Sequence, residues 1–250
     1  MNTPSLEVCA ISLASALAAQ KGGAYRVELC DNLYEGGTTP SHGCIKLARE
    51  KLHIKLNVLI RPRGGDFLYS EDEMEIIQRD IQYCKRTGID GVVVGFLTPD
   101  GEVDTDRTEE ITKVAHPMSV TFHRAFDVCR DPYEALEKLI DLQVDRILTS
   151  GQRNTAPEGV ELIAELVKRA GDRGIVMPGA GLNPANIKDV HKQVQAKEYH
   201  ASLQSDVESG MRYRKPGVFM GGISAILEFS VRRTDPEKVK RFIDELGKAL

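Results

Sequence analysis

The sequence of 250 residues contains no tryptophan, and its aromatic residues amount to only 6%. It has no apolar run near the roughly 20 residues that span a membrane, and no long basic run that would bind nucleic acid. The N-terminal residues lack the charged and apolar regions of a signal peptide. Because the net charge is also −4, we expect a cytoplasmic protein that binds neither nucleic acid nor membranes.

Paired cysteine motifs and nucleotide-binding loops are absent as well. The five cysteines are odd in number and scattered, with no Cys-x-x-Cys spacing, which argues against a disulfide framework and against a structural zinc site. There is no Walker loop and no Gly-x-Gly-x-x-Gly after an apolar run, so we expect no nucleotide cofactor.

Eight short runs of apolar and β-branched residues alternate with amphipathic segments along the chain. Several runs are continuously apolar, as at 92–94, which is typical of parallel strands covered by helices. The chain length also suits eight βα units, so we predict a single (β/α)8 TIM barrel over residues 1–250. Residues 203–233 lack clean periodicity and are predicted to form a long eighth βα loop. The predicted strands are Leu6–Ile11, Tyr25–Cys30, Lys55–Arg61, Gly91–Phe96, Ser119–Arg124, Asp145–Thr149, Gly174–Pro178 and Glu198–Ser202.

Capping residues and prolines mark the starts of several predicted helices. Ser70 and Glu73 form a capping-box pattern. Asp131-Pro132, Asn183-Pro184 and Asp235-Pro236 each place a capping residue before a first-turn proline. We therefore expect a helix to begin at each of these positions.

The first two predicted strands carry the same Glu-x-Cys pattern, with Glu7 and Cys9 on one and Glu28 and Cys30 on the other. Residues two apart on a strand share a face, and the neighbouring residues are apolar. We therefore expect both pairs to point into the barrel at equal height. Polar residues at the C-terminal strand ends form the working site of such barrels, which makes Glu28 a candidate general base.

Further polar residues lie toward the ends of other predicted strands. Arg61 is a candidate for holding substrate charge or stabilising an enolate, and His123 is a second candidate base. No lysine ends a predicted strand, which disfavours a Schiff-base aldolase. The candidate substrate-binding or anion-binding residues are Glu7, Asn57, Arg124, Thr149, Ser150 and His200.

A glycine-rich turn at 178–181 follows the seventh predicted strand and precedes Asn183-Pro184. Backbone N–H groups at such a turn before a helix bind anions, and barrels often bind phosphate after strands seven and eight. We therefore predict that Gly179 and Gly181 contribute to an anion site.

Each of these features has a structural alternative. A buried cysteine on a strand commonly serves as a small apolar packing residue, and glycines in the turn could merely permit its tight geometry. Glu7 and Glu28 could form structural ion pairs with Arg61 or Arg124, because a buried carboxylate needs a partner.

Five longer motifs occur in order along the chain. They are Arg26-Val-Glu-Leu-Cys30, Glu35-Gly-Gly-Thr-Thr-Pro40, Ile60-Arg-Pro-Arg-Gly-Gly-Asp66, Thr121-Phe-His-Arg-Ala-Phe-Asp127 and Leu148-Thr-Ser-Gly-Gln152. Together they resemble the CutC family, the so-called copper homeostasis proteins. The resemblance implies a cytoplasmic barrel linked to copper tolerance, with Cu(I) bound by Cys9 and Cys30.

Two functions stay open at this point. Thiolates are the soft ligands that Cu(I) prefers, which favours a Cu(I)-binding protein. The surplus of carboxylates, arginines and histidines at the predicted strand ends favours an enzyme of the isomerase, epimerase or lyase type. Its substrate would be a small anionic metabolite, which could be phosphorylated. Glu7, Glu28, His123 and His200 could also gather a divalent metal ion. The expected partners are a small anionic molecule or a copper ion, and we expect a homo-oligomer.

Overall fold

Eight parallel strands form the centre of the computed structural model, which describes residues 3–218 and 228–249. Backbone hydrogen bonds join them in the order β7-β6-β5-β4-β3-β2-β1-β8, and β7 contacts β8 to complete the ring. The predicted eight-stranded barrel is confirmed, whereas a single domain over residues 1–250 stays a prediction. The strands are β1 (Ser5–Ala10), β2 (Arg26–Leu29), β3 (Lys55–Leu59), β4 (Gly91–Val94), β5 (Ser119–Phe122), β6 (Arg146–Thr149), β7 (Ile175–Pro178) and β8 (Glu198–Ala201).

The helices begin where local capping chemistry predicts in three cases. Ser70 and Glu73 form the capping box of α3, and Asp131 and Asp235 cap α5 and α8 before a first-turn proline. In the described ranges no helix combines the length and the apolarity needed to cross a bilayer. The helices are α1 (Leu13–Lys21), α2 (His42–Lys51), α3 (Glu71–Thr87), α4 (Thr105–Ala115), α5 (Pro132–Asp141), α6 (Val160–Ala170), α7 (Ile187–Val194) and α8 (Pro236–Gly247).

The helix predicted at Asn183-Pro184 starts later than expected. α7 begins at Ile187, after Asn186. The side chain of Asn183 accepts a hydrogen bond from the N–H of Ala185, and the side chain of Asn186 accepts one from the N–H of Asn183. The two asparagines therefore hold a turn and occupy the N–H groups of Asn183 and Ala185 just before the helix.

The register of β1 against β2 corrects the expected height of the two Glu-x-Cys pairs. Cys9 lies opposite Glu28, and Glu7 lies opposite Arg26. The pairs are thus offset by two residues and are not level. Closing a sheet into a barrel requires tilted strands with a staggered register, so matching sequence positions on adjacent strands do not share a height. Cys30 consequently lies one step nearer to the C-terminal end than Cys9.

Side chains alternate between the two sides of each strand, as the sequence predicts. In β1, Leu6, Val8 and Ala10 belong to the large apolar layer that packs strands against helices. The alternate positions face the barrel interior, where a small separate apolar cluster contains Cys9, Cys30, Leu59 and Val93. Because burial of the outer layer supplies most of the hydrophobic stabilisation, the interior can accommodate polar side chains.

Part of the predicted eighth βα loop forms a two-stranded ladder, and residues 219–227 of that loop lie outside the described residues. Between β8 and α8, β9 (Gln204–Glu208) and β10 (Ser230–Thr234) pair as antiparallel strands. The sequence did not predict this ladder, because its residues are largely polar and exposed and show no apolar alternation.

Candidate functional site

A cavity of about 900 Å³ opens at the C-terminal ends of the strands. Glu28, Arg61 and His123 all line it, from β2 and from the residues after β3 and β5. The structure therefore brings the three predicted catalytic side chains to one cavity. Other lining residues singled out from the sequence are Cys9, Cys30, Arg124, Gly181 and His200.

Cys9, Glu28 and Cys30 form a group in this cavity that is suited to a metal ion. The two sulfur atoms lie 3.4 Å apart, and one ligand atom from each residue lies within 4.8 Å of the other two. The three residues are only 4%, 5% and 2% exposed. They meet because the stagger sets Glu28 opposite Cys9, and Cys30 follows Glu28 on the same face.

Hydrogen bonding and burial together set the protonation of Cys9 and Glu28. The hydrogen bond with Cys30, together with burial, raises the pKa of the Cys9 thiol well above its ordinary value. Burial raises the pKa of the Glu28 carboxyl to about 7, against the opposing effect of His200. The Cys9 thiol is therefore protonated at neutral pH, and a cation that binds here must release protons.

Glu7 lies one step deeper and is occupied by two basic side chains. His200 Nδ1 is 2.7 Å from Glu7 Oε1, and Arg26 donates its Nε–H to Glu7 Oε2. Burial opposes ionisation, but the Arg26 guanidinium and the hydrogen bond with His200 lower the pKa of Glu7 to about 2. The structural ion pair considered with Arg61 or Arg124 is instead made with Arg26, and Glu7 does not line the cavity.

His200 connects this buried pair to the metal-suited group. Its Nε2 lies 3.7 Å from Glu28 Oε2. Burial lowers the pKa of His200, but the carboxylates of Glu28 and Glu7 outweigh burial and leave it raised. His200 therefore lies between two carboxylates and does not present a free cation to an anion.

The interior below the cavity holds further polar groups. Glu198 accepts hydrogen bonds from Arg26 and from Arg146 Nε, the latter at 2.8 Å. Asn57 is fully buried, and neither atom of its amide has a hydrogen-bond partner among the described residues. Asn57 does not line the cavity, so this predicted anion-binding residue belongs to the barrel interior.

Backbone carbonyl groups hold the side chain of Arg61. Its Nη1 donates to the carbonyls of Glu35 and Gly37, and its Nη2 donates to the carbonyl of Gly65, all at 2.7 Å. Gly36 and Gly37 have φ angles of +84° and +94°, in the left-handed region that favours glycine. The glycine-containing motifs that follow β2 and β3 therefore hold the guanidinium of Arg61 through their backbone carbonyls.

The imidazole of His123 carries a hydrogen-bond donor at Nε2. Its Nδ1 accepts from the N–H of Ala125 at 3.1 Å, so the neutral ring carries its proton on Nε2. Burial, reinforced by the Arg61 guanidinium, lowers the pKa of His123 to about 3. The ring is therefore neutral at physiological pH, and its Nε2 can donate but cannot accept. This geometry disfavours the predicted role of general base.

Asp127 engages three of the predicted anion-binding residues. Its carboxylate accepts from Arg124 Nε at 2.6 Å, from Thr149 Oγ1 at 2.5 Å and from the N–H of Ser150 at 2.9 Å. Arg124, Thr149 and Ser150 are thus occupied by an internal carboxylate. We did not single out Asp127 from the sequence, although its place at the end of a long motif after β5 was an available signal.

The turn after β7 separates the two predicted anion-binding glycines. A Cβ added to Gly179 would lie 2.5 Å from Leu148 Cδ1 and 3.2 Å from His200 Cβ, so Gly179 permits close packing. Gly181 has a φ angle of +74° and lines the cavity. Its N–H donates no hydrogen bond within residues 3–218 and 228–249. Anion binding at this turn stays a prediction, now centred on Gly181.

The divalent-cation set considered from the sequence is not assembled. Among the described residues, no three of Glu7, Glu28, His123 and His200 place their ligand atoms within 4.8 Å of one another. The reason is that His200 faces Glu7 with Nδ1 and Glu28 with Nε2, so no one of its ring nitrogens lies close to both carboxylates, whereas His123 packs beside Phe67.

Two further residues of the site were missed by sequence reasoning. Arg26 begins a buried strand, and its guanidinium pairs with the interior carboxylates of Glu7 and Glu198. Both glutamates lie on other strands, so the sequence around Arg26 does not reveal this pairing. Phe67 contacts both Arg61 and His123, at 5.1 Å from Arg61 Cζ and 4.9 Å between ring centroids. No local pattern marks Phe67, because the contact arises when the loop after β3 folds over the barrel end.

Comparison with known proteins identifies what the chain is similar to. The model of the CutC family matches residues 4–205. A CutC family protein from Chromobacterium violaceum is 51% identical over 244 residues and covers 98% of both chains. The copper homeostasis protein cutC homolog of Homo sapiens is 44% identical, over 94% of this chain and 86% of its own. A CutC crystal structure from Streptococcus agalactiae superposes with a TM-score of 0.76 at 35% identity, covering 80% of this chain and 98% of that one.

Proposed function

Since this chain belongs to the CutC family, we propose that it serves copper homeostasis by binding Cu(I) through Cys9 and Cys30. The observation that carries the proposal is the pair of sulfur atoms 3.4 Å apart on the cavity wall. Cu(I) prefers soft thiolate ligands to carboxylates. Metal–thiolate bonds are about 2.3 Å long, as for zinc, so two sulfurs at this separation can both reach one ion.

Glu28 supports the site in a different way. Its carboxylate oxygen lies within 4.8 Å of both sulfurs, close enough to act as a third, weaker ligand or to accept a thiol proton. A pKa of about 7 suits Glu28 to the second role, because the thiols must lose protons as the metal binds. We expect this exchange to take place in the cytoplasm, where thiols stay reduced.

An anaerobic competition titration with a Cu(I) chelator tests the proposal. We expect the Cys9→Ser/Cys30→Ser double variant to bind Cu(I) more than about 100-fold more weakly, since even changes outside the ligand set cost about 10- to 100-fold. The matched control is Cys44→Ser/Cys129→Ser, which removes two thiols that lie outside the metal-suited group and should leave the affinity unchanged. Retention of parent-like affinity by the Cys9/Cys30 variant would refute the proposal.

The alternative of an isomerase, epimerase or lyase receives less support from the geometry. His123 donates and cannot act as a base at Nε2, and the carboxylate of Glu7 is held by Arg26. Of the two predicted bases, Glu28 keeps the features that the role requires. We therefore place Cu(I) binding first.

A further inference from the structure

The cavity is far larger than a metal ion needs. Its volume of about 900 Å³ falls in the range of roughly 300–1,000 Å³ that small organic ligands occupy. One part of its wall also carries the buried cation Arg61, which forms no ion pair with a carboxylate in the described part of the chain. A buried charge that only neutral dipoles stabilise favours the binding of a counterion.

Not every N–H group of Arg61 has a hydrogen-bond acceptor among the described residues. A guanidinium has five N–H groups. In Arg61, three of them donate to the backbone carbonyls of Glu35, Gly37 and Gly65. The Nε atom has no partner among the described residues although it is shielded from water. Because the residue is only 4% exposed, solvent does not compensate the missing bond.

His123 supplies a second unpartnered donor beside Arg61. Its Nε2 is buried without a partner in the described ranges, and the residue is 5% exposed. The Phe67 ring packs against both the guanidinium and the imidazole. Phe67 is half-buried and lines the same cavity as Arg61 and His123, so its ring lies beside both side chains at the cavity wall.

We propose that Arg61 and His123 form a subsite for the carboxylate of a small organic anion at the cavity wall beside Phe67. A planar guanidinium matches the geometry of a carboxylate. The subsite offers one formal positive charge, and the acidic side chain of Glu28 lines the same cavity. A monoanion is therefore favoured over a dianion such as phosphate. This subsite does not depend on Cu(I) binding, and it is tested in metal-free, reduced protein.

Ligand-detected NMR titrations can compare three probes of different charge. Propionate carries the carboxylate, propionamide is its neutral counterpart, and inorganic phosphate is the competing anion. We expect propionate to bind at least about tenfold more tightly than propionamide, because charge-assisted hydrogen bonds are roughly twice as strong as neutral ones. We also expect it to bind more tightly than phosphate, because the acidic side chain of Glu28 lines the same cavity and opposes a second negative charge.

Two substitutions of His123 distinguish the loss of the hydrogen-bond donor from a loss of folding. His123→Gln keeps an N–H near the place of Nε2, whereas His123→Leu has a similar volume and no donor. We expect about tenfold weaker propionate binding in His123→Leu and near-parent binding in His123→Gln. Arg241→Met is the matched control, since Arg241 lines the same cavity but is exposed to solvent.

Four results would each overturn the proposal. They are equal binding of propionate and propionamide, tighter binding of phosphate than of propionate, equal affinities of the two His123 variants, and a loss in Arg241→Met as large as that in His123→Leu. Thermal melting of each variant shows whether it is folded, and His123→Gln keeps the comparison informative if His123→Leu is unstable.

Discussion

Glu28→Gln should make the folded protein more stable at alkaline pH. Burial raises the pKa of Glu28 from 4.5 to about 7, so the folded state holds this proton more tightly than the unfolded state. The stability contributed by the protonated carboxyl is complete below pH 4.5 and is lost as the pH rises through about 7. At about 1.36 kcal/mol per pKa unit, the ionised carboxylate costs about 3 kcal/mol in the fold.

Glutamine keeps the shape of the side chain and does not ionise. We therefore expect the variant to match the parent near about pH 4 and to exceed it by up to about 3 kcal/mol near about pH 8. Urea denaturation of the metal-free protein across this range measures the difference, with unchanged m-values showing that the unfolded state is comparable. If the variant is no more stable than the parent at alkaline pH, burial does not destabilise the Glu28 carboxylate and the reasoning fails.

Three further substitutions test other parts of the structure. Glu7→Gln is the opposite case, because the pKa of Glu7 is lowered from 4.5 to about 2. The ionised carboxylate of Glu7 therefore stabilises the fold by about 3 kcal/mol above pH 4.5, and this stabilisation is lost as the pH falls toward 2. Urea denaturation should therefore show a gap at neutral pH that shrinks on acidification, and a pH-independent gap contradicts this. Gly179→Ala should destabilise the folded protein by about 1–3 kcal/mol in thermal melting, since the added Cβ would collide with Leu148. Gly210→Ala is the control and should leave the stability almost unchanged, because no atom lies within 4 Å of its added Cβ. Asp127→Asn should cost about 2–4 kcal/mol by calorimetry, because several donors lose a charged acceptor, without weakening Cu(I) binding.

Features governed by neighbours along the chain were predictable. Ser70, Asp131 and Asp235 cap their helices as expected, because a capping side chain bonds to N–H groups two or three residues away. The inward direction of Cys9 and Glu28 followed from strand alternation. Eight such units in a chain of this length match the make-up of a (β/α)8 barrel.

Contacts between distant parts of the chain were not predictable in the same way. The stagger of β1 against β2 decides that Cys9 meets Glu28, and a shift of two residues leaves every inward-facing position inward-facing. Because the register between the strands was unknown, the sequence did not reveal which arginine pairs with Glu7; the structure shows that it is Arg26. The capture of Thr149 and Ser150 by Asp127 likewise depends on how two loops pack.

The sequence by itself therefore determined the barrel, the faces of its strands and the end at which the polar side chains gather. Periodicity and capping are local, and each residue reports them through its nearest neighbours. Only the tertiary structure decided which inward side chains touch: it placed two sulfurs 3.4 Å apart and gave His123 a donor role through its bond with Ala125. These contacts depend on barrel stagger and on loop packing, which are set by the whole chain at once and leave no periodic trace in it.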